Sequence, residues 1–177
     1  MGHNRHVYRT SPLIRLALWG LYLTLLVPLP FLAQVNGMAS GWLWVALVAG
    51  GVVLQAALSE QIWVDEDGIE VCYPLWVPTW FRPGWRLRWS EIQSLKPRST
   101  GQGGRVFYFT TTAETAYLLP MRVAGFAAMT RQIEDHTGLD LRAVKPLAQI
   151  WMYSILLGFV LMLAGVDGWV LWTVSVG

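Results

Sequence analysis

The sequence is short of charge and of cysteine, and each shortage excludes a class of protein or site. Only 14% of the 177 residues are charged, against roughly 25% in ordinary soluble domains. Cys72 is the single cysteine, so the chain has no internal disulfide and no cysteine-cluster metal site. The net charge of +2, with acids mixed among the bases, argues against a nucleic-acid partner.

Histidine is also scarce, and the three present form no obvious catalytic or metal-binding set. His3 and His6 stand three residues apart with no further ligand nearby, which predicts a solvated basic tail. His136 near the end of a predicted helix is placed to interact with the helix dipole. No histidine falls in an apolar run to ligate haem or chlorophyll, and Gly101–Gly104 lacks the Lys-Ser/Thr of a phosphate loop. We therefore expect no enzyme, no cofactor and no metal.

Charge is missing altogether from Leu16 to Ser59, a run of 44 residues. One helix crosses roughly 30 Å of hydrocarbon with roughly 20 residues, so this run is long enough to cross twice. Pro28 and Pro30, followed by several polar residues, interrupt it near the middle. The pattern predicts a tight helical hairpin with helices near 13–33 and 42–58.

The first apolar run also has to be compared with a secretory signal peptide. Three arginines precede it, and the small residues at 37–39 are of the kind that a signal peptidase accepts. The run is longer than the usual signal-peptide core, so we expect a retained membrane anchor.

The second predicted helix carries a face of small residues made by Ala46, Gly50 and Gly51. Such a face lets a neighbouring helix approach closely. The first helix of the same hairpin is the simplest neighbour, and another protein molecule is the alternative.

A third uncharged run, Pro146 to Val166, predicts a third spanning helix. Asp167 follows it and is expected at the far membrane interface, together with Trp169 and Trp172. Residues 1–15 hold three arginines and no acid, which places the N-terminus on the cytoplasmic side. Two crossings return the chain to that side, and the third takes the C-terminus to the opposite side.

Between the apolar runs, residues 60–145 hold ten basic and ten acidic residues, a balance compatible with water. Apolar side chains alternate with others from Ile69 to Val77 and from Trp85 to Trp89, the period of half-buried strands. We predict five or six short strands in an antiparallel meander. The segments with this character are 61–65, 69–77, 85–89, 91–98, 106–112 and 116–121.

Apolar residues at helical spacing then predict one helix over 123–137, ended by Gly138. The fold class that we predict is an integral membrane α+β protein. Three transmembrane helices carry an inserted antiparallel β-domain, which is capped by this C-terminal helix. The predicted domains are 1–59 for the tail and hairpin, 60–142 for the β-domain, and 143–177 for the third transmembrane helix and C-terminal tail.

This order of elements resembles the bacterial pleckstrin-homology-like (PH-like) domains attached to membrane hairpins. The matching pieces are the strand Ile69–Val77, the segment Trp89–Leu95, the strand Tyr117–Met121 and the helix that ends at Thr137–Leu141. Two helices followed by such a domain are also similar to the photosystem I assembly factors of cyanobacteria and chloroplasts. The resemblance implies a PH-like fold and non-catalytic binding of membrane protein complex subunits or of lipid. It also implies a thylakoid or plasma membrane.

The candidate binding site is the aromatic segment from Tyr73 to Trp89, which holds four Trp, three Arg and no acid. Trp85, Leu87 and Trp89 alternate along a predicted strand and are expected to face the helix. Prolines and a glycine within 76–84 favour an irregular loop that exposes its aromatic side chains. The candidate site residues are Trp76, Trp80, Phe81, Arg82, Trp85, Arg86 and Arg88.

Three interpretations of this segment are open. The loop lies in the membrane interface with arginines near lipid phosphates, or it binds a partner membrane protein, or it packs against its own domain. The function we expect first is an assembly or stability factor for a larger membrane protein complex. A domain that senses lipid head groups is the alternative.

Overall fold

The computed structural model describes residues 5–101, 104–112, 115–142, 144 and 150–176. The chain divides into two compact units. Met1–Ser11 and Ser59–Ala148 form the first, which we call the β-unit, and Pro12–Leu58 and Gln149–Gly177 form the second, the helical unit.

The helical unit contains three helical runs long and apolar enough to cross a membrane: Pro12–Val35, Gly41–Leu58 and Trp151–Thr173. The first run is interrupted once, because Pro28 has no N–H to continue the helical hydrogen bonds. The helices are α1 (Pro12–Leu26), α2 (Pro28–Val35), α3 (Gly41–Leu58) and α5 (Ile150–Val176). The predicted hairpin helices are confirmed to within a few residues.

Helix α5 extends ten residues beyond the predicted end at Val166. The predicted span ended before Asp167. The chain has no proline after Pro146 that would end the helix, and the single glycine at 168 does not end it. Asp167 therefore lies inside α5, and its place at the far membrane interface stays a prediction.

The small face of α3 contacts aromatic side chains of α1. A Cβ added at Gly50 would lie 2.6 Å from the hydroxyl oxygen of Tyr22, and one at Gly51 would lie 3.3 Å from the ring of Trp19. The Trp19 indole N–H also donates to Oε1 of Gln55 at 3.2 Å. The first helix of the hairpin is thus the neighbour of this face, through side chains rather than through its backbone.

The β-unit begins with a strand where the sequence predicted a solvated tail. Strand β1 (His6–Arg9) pairs antiparallel with β2 (Gln61–Val64), with Arg9 opposite Gln61. The predicted boundary at residue 59 was therefore wrong for the N-terminus, because the β1 ladder joins it to the β-unit. The apolar residues 12–58 are an insertion between the first two strands of one sheet.

Hydrogen bonds beyond the ladder also hold the N-terminal segment in the β-unit. The Ser11 N–H donates to the carbonyl of Arg122 at 3.1 Å, and the Ala124 N–H donates to the carbonyl of Arg9 at 2.9 Å. Both strand β1 and the residues just after it are therefore bonded to parts of the chain that follow the apolar insertion.

The strands form two antiparallel sheets, and within each sheet strands that follow one another in sequence are neighbours. The first sheet has the order β1-β2-β3-β4 and the second β5-β6-β7. The later strands are β3 (Gly68–Cys72), β4 (Trp85–Arg88), β5 (Ile92–Ser99), β6 (Arg105–Thr111) and β7 (Ala116–Leu118). The meander is confirmed, and β1 is the strand that the sequence analysis did not count.

One apolar core is built from both sheets and from α4 (Phe126–Thr137). Helix α4 is bounded by Gly125 and Gly138, which both have positive φ angles that favour glycine. Helix α4 starts three residues later than predicted, because the backbone of Gly125 has a left-handed conformation that a right-handed helix does not contain. The most buried side chains of the core include Ile62, Ile69, Leu87, Phe109, Met129 and Ile133.

Candidate binding site on the loop between β3 and β4

Strand β3 ends at Cys72, five residues before the predicted end at Val77. Pro74 and Pro78 have no N–H to donate to a ladder, so the pairing stops there. The chain then forms a connection over residues 73–84, which we call the aromatic loop, before β4 begins.

Three large apolar side chains of the aromatic loop point into solvent. Leu75 is fully exposed, Trp80 is 84% exposed and Trp76 is 49% exposed. Phe81 is half-buried and packs edge-on against Trp80, with ring centroids 6.1 Å apart. Trp76, Trp80 and Phe81 were all predicted to lie in an exposed loop. The two tryptophan side chains are exposed, whereas that of Phe81 is half-buried.

The aromatic loop is ordered by turns and by one buried anchor. Val77 is buried, and its N–H donates to the carbonyl of Pro74 at 2.9 Å. The N–H groups of Phe81 and Arg82 donate to the carbonyl of Pro78 at 3.0 and 3.2 Å. The exposed side chains are therefore held in place by their own backbone.

The base of the aromatic loop is fixed by Tyr73. Its hydroxyl donates to Oε2 of Glu60 at 3.1 Å. Burial, and then the negative charge of Glu60, raise the pKa of Tyr73 to about 12, although the neighbouring Arg82 acts in the opposite direction. The Arg82 side chain is thus a neighbour of this phenol as well as an exposed cation.

Two tryptophans of the candidate segment pack toward the core. The ring of Trp85 lies 5.2 Å from that of Tyr117 on β7, and Trp89 stacks on His136 of α4 at 5.1 Å. Leu87 between them is buried. The prediction that these residues face the helix holds for Trp89, whereas Trp85 packs on β7 and so serves packing more than it serves an exposed surface.

Arg86 and Arg88 alternate with these residues and are exposed. The guanidinium of Arg86 lies 3.9 Å from Oδ2 of Asp65, a buried carboxylate. The same Oδ2 accepts a hydrogen bond from Nε of Arg5 at 3.3 Å. The guanidinium of Arg5 also lies 4.9 Å from the ring centroid of Trp63. Arg5 was not among the predicted site residues, because its partner Asp65 lies 60 residues further along the chain.

Asp65 is held as a carboxylate by its neighbours. Burial alone would raise its pKa, but hydrogen bonds from the backbone N–H groups of Gly68 and Asp67 lower it. The charges of Arg86 and Arg5 lower it further, and the net effect is a pKa below the ordinary value for aspartate. Arg86 therefore stabilises the turn between β2 and β3.

Two open grooves lie on the surface of the β-unit. One of about 420 Å³ lies beside the loop, and one of about 790 Å³ lies beside the turn after β2. Within the ranges that the structure describes, no three His, Cys, Asp or Glu side chains are grouped as metal ligands. What the loop offers chemically is an apolar and aromatic surface with adjacent positive charge.

These features define an α+β protein with three apolar helices and two antiparallel sheets, the arrangement expected of a multi-pass membrane protein. The chain is 52% identical over 165 residues to a protein of Synechocystis sp. described as "Uncharacterized protein slr0269". The match covers 91% of this chain and 83% of the relative, so the chain belongs to the family of that cyanobacterial protein. No family model and no solved structure matches the chain.

Proposed function

We propose that the protein is a non-enzymatic, multi-pass membrane protein whose β-unit serves as a scaffold for assembling or stabilising a larger membrane protein complex. The observation that carries this proposal is the exposure of Leu75, Trp76 and Trp80 on a loop of the β-unit. The chain of the β-unit is interrupted by two apolar helical runs and followed by a third. Exposed apolar patches with aromatic side chains are typical of binding surfaces.

The β-unit of this scaffold is proposed to be PH-like. Two antiparallel sheets in meander order, followed by α4, support the resemblance. Its cyanobacterial relative supports a thylakoid or plasma membrane as the location. A photosynthetic complex as the partner follows from the resemblance to photosystem I assembly factors.

The alternative, a sensor of lipid head groups, requires arginines that are available to phosphate. Arg86 is paired with Asp65, and Arg82 is a neighbour of the Tyr73 phenol. Two of the three candidate arginines therefore already have contacts within the β-unit, which favours the scaffold as the first proposal.

The proposed topology has the β-unit on the cytoplasmic side. Because β1 and β2 are hydrogen-bonded neighbours, residues 9 and 61 lie on the same side of any membrane, and an even number of crossings separates them. The runs Pro12–Val35 and Gly41–Leu58 supply two such crossings. Arginines at the N-terminus favour the cytoplasm for this side, and the run Trp151–Thr173 takes the C-terminus across.

Epitope tags are expected to show this topology in sealed membrane vesicles. A tag at the N-terminus and a tag inserted at the exposed Gly101 should be cut by protease from the same side. A tag at the C-terminus should be cut only from the other side. N- and C-terminal tags that are cut from the same side would contradict three crossings.

Co-purification tests the scaffold. The tagged full chain, extracted from its native membranes in mild detergent, should bring along the subunits of one membrane complex. Trp76→Ala with Trp80→Ala should reduce their recovery at least about tenfold, since aromatic anchors often cost 2 kcal/mol or more each. Quantitative mass spectrometry measures the ratio.

A matched control removes two exposed tryptophans from the helical unit instead. Trp169→Ala with Trp172→Ala changes side chains that are 65% and 61% exposed on α5. This pair should leave the recovered subunits unchanged. Equal recovery with the aromatic-loop pair and with the wild type would remove the loop from the scaffold's binding surface.

A further inference from the structure

The register of the first sheet fixes which end of it carries the aromatic loop. Gln61 lies opposite Arg9 on one side and opposite Cys72 on the other. The end of β1, the start of β2 and the end of β3 are therefore at the same end of the sheet. Arg9 is three residues before Pro12, where α1 begins, and Gln61 is three residues after Leu58, where α3 ends.

A hydrogen bond ties the base of the loop to this end. Tyr73, the first residue of the aromatic loop, donates its hydroxyl proton to Glu60. Glu60 follows the last residue of α3 by two positions, and two residues of extended chain span at most about 7 Å. The loop thus starts close to the point at which the chain passes between the β-unit and α3.

The chemistry of the loop suits the head-group region of a bilayer. Tryptophan concentrates at that level, where its ring is in apolar surroundings and its N–H reaches polar groups. No acid occurs from Tyr73 to Trp89, so no carboxylate has to lose its hydration. Arg82 neighbours the Tyr73 phenol but is exposed, so its charge still attracts anionic lipids without forming a specific phosphate site.

We propose that the aromatic loop inserts its exposed side chains into the head-group region of the same membrane that the apolar helices cross. This inference rests on the proposed membrane insertion of those helices, and it deepens the scaffold proposal by giving the loop a lipid contact before any partner binds. Lipid is the occupant because both chain connections at this end of the sheet lead into apolar helices. The bilayer that surrounds those helices is already next to this end of the sheet, so a lipid contact needs no further binding partner.

Lipid-quenching fluorescence on the reconstituted full chain tests the proposal. Cys72→Ser removes the single cysteine, and Thr79→Cys places one fluorophore between the two exposed tryptophans. Glu66→Cys labels an exposed residue in the turn at the opposite end of β2 and β3. Phe159→Cys labels an exposed residue in the middle of α5. The vesicles contain phosphatidylcholine and phosphatidylglycerol, with bromine atoms on the acyl chains.

The label at 79 should be quenched severalfold more than the label at 66. Adding Trp76→Ser and Trp80→Ser should reduce the quenching at 79 to the level at 66. The label at 159 reports only whether the helices are inserted in the bilayer. It therefore distinguishes a failure of the proposed membrane insertion from a failure of the proposed lipid contact of the aromatic loop.

Two results would overturn the inference while leaving the scaffold proposal in place. One is quenching at 159 with equal, weak quenching at 79 and 66. The other is a label at 79 that is shielded only in native membranes that hold other proteins, which would make the loop a protein-binding surface. No quenching at 159 would overturn both proposals, because the helices would then lie outside the bilayer.

Discussion

Replacing His6–Tyr8 by Gly-Ser-Gly is expected to unfold much of the first sheet while the helical unit stays helical. The change adds two glycines to β1, and each glycine destabilises an extended strand by roughly 0.5–1 kcal/mol relative to alanine. It also removes Tyr8, which packs on the core and donates its hydroxyl proton to Oε1 of Gln132 at 3.0 Å. The total is a large part of the 5–15 kcal/mol that stabilises a typical domain.

Amide hydrogen exchange of the detergent-solubilised full chain measures this effect at β2, whose residues are bonded to β1 in the wild type. Two single substitutions within β1 separate the loss of a core contact from a general effect of mutating this strand. Tyr8→Ala should cost about 2 kcal/mol or more because its side chain packs on the core. Val7→Ala, at a side chain that is 47% exposed, should cost less than about 0.5 kcal/mol. Unchanged exchange at residues 61–64 after the triple replacement would show that β1 does not support the sheet.

The second large effect is expected from Asp65→Ala. The substitution leaves the N–H groups of Asp67 and Gly68 without their carboxylate acceptor and leaves Arg5 and Arg86 without their shared partner. An unpaired buried group costs about 1–3 kcal/mol. We therefore expect Asp65→Ala to lower the free energy of unfolding by about 3 kcal/mol near neutral pH. Urea unfolding of the β-unit within the full chain measures it.

The pH dependence of this loss has a definite sign. Because the pKa of Asp65 is lowered in the folded protein, its stabilisation is fully present above the unfolded value of about 3.9. It is lost as the pH falls through the lower folded value. The stability difference between wild type and Asp65→Ala should therefore be full at neutral pH and should shrink in acid.

Glu66→Ala is the matched control, because Glu66 is exposed in the same turn. It should change stability by less than about 0.5 kcal/mol near neutral pH. A difference between wild type and Asp65→Ala that grew on acidification would contradict the assigned ion pairs. So would an Asp65→Ala protein as stable as Glu66→Ala.

Much of the fold is predictable because it follows from local periodicity. The uncharged runs and the prolines at 28 and 30 predicted the helices of the hairpin to within a few residues. Alternation of apolar side chains predicted most strands of the β-unit. The strand at His6–Arg9 was not predicted, because its four residues are too few to show an alternation of apolar and polar side chains. Its partner lies beyond the whole apolar insertion.

The candidate site was predictable in part for the same reason. Pro78, Pro83 and Gly84 predicted an irregular loop with Trp76 and Trp80, although the strand before it was predicted to run past Pro74 to Val77. The distinct roles of Trp85 and Arg86 were not predictable. They depend on Tyr117 and on the buried Asp65, and contacts between such distant residues are set by tertiary packing.

The placement of β1 before the apolar insertion has a consequence for how the chain is made. Residues 6–9 are synthesised before the apolar insertion. They have no strand to pair with until residues 12–58 and then β2 have been made. A chain in which only one hairpin helix crossed would hold β1 and β2 on opposite sides of the bilayer. Its first sheet would then stay open and sensitive to protease. On the proposed topology, closure of the first sheet depends on both hairpin helices having crossed, and pulse-chase proteolysis of the nascent β-unit measures when it occurs.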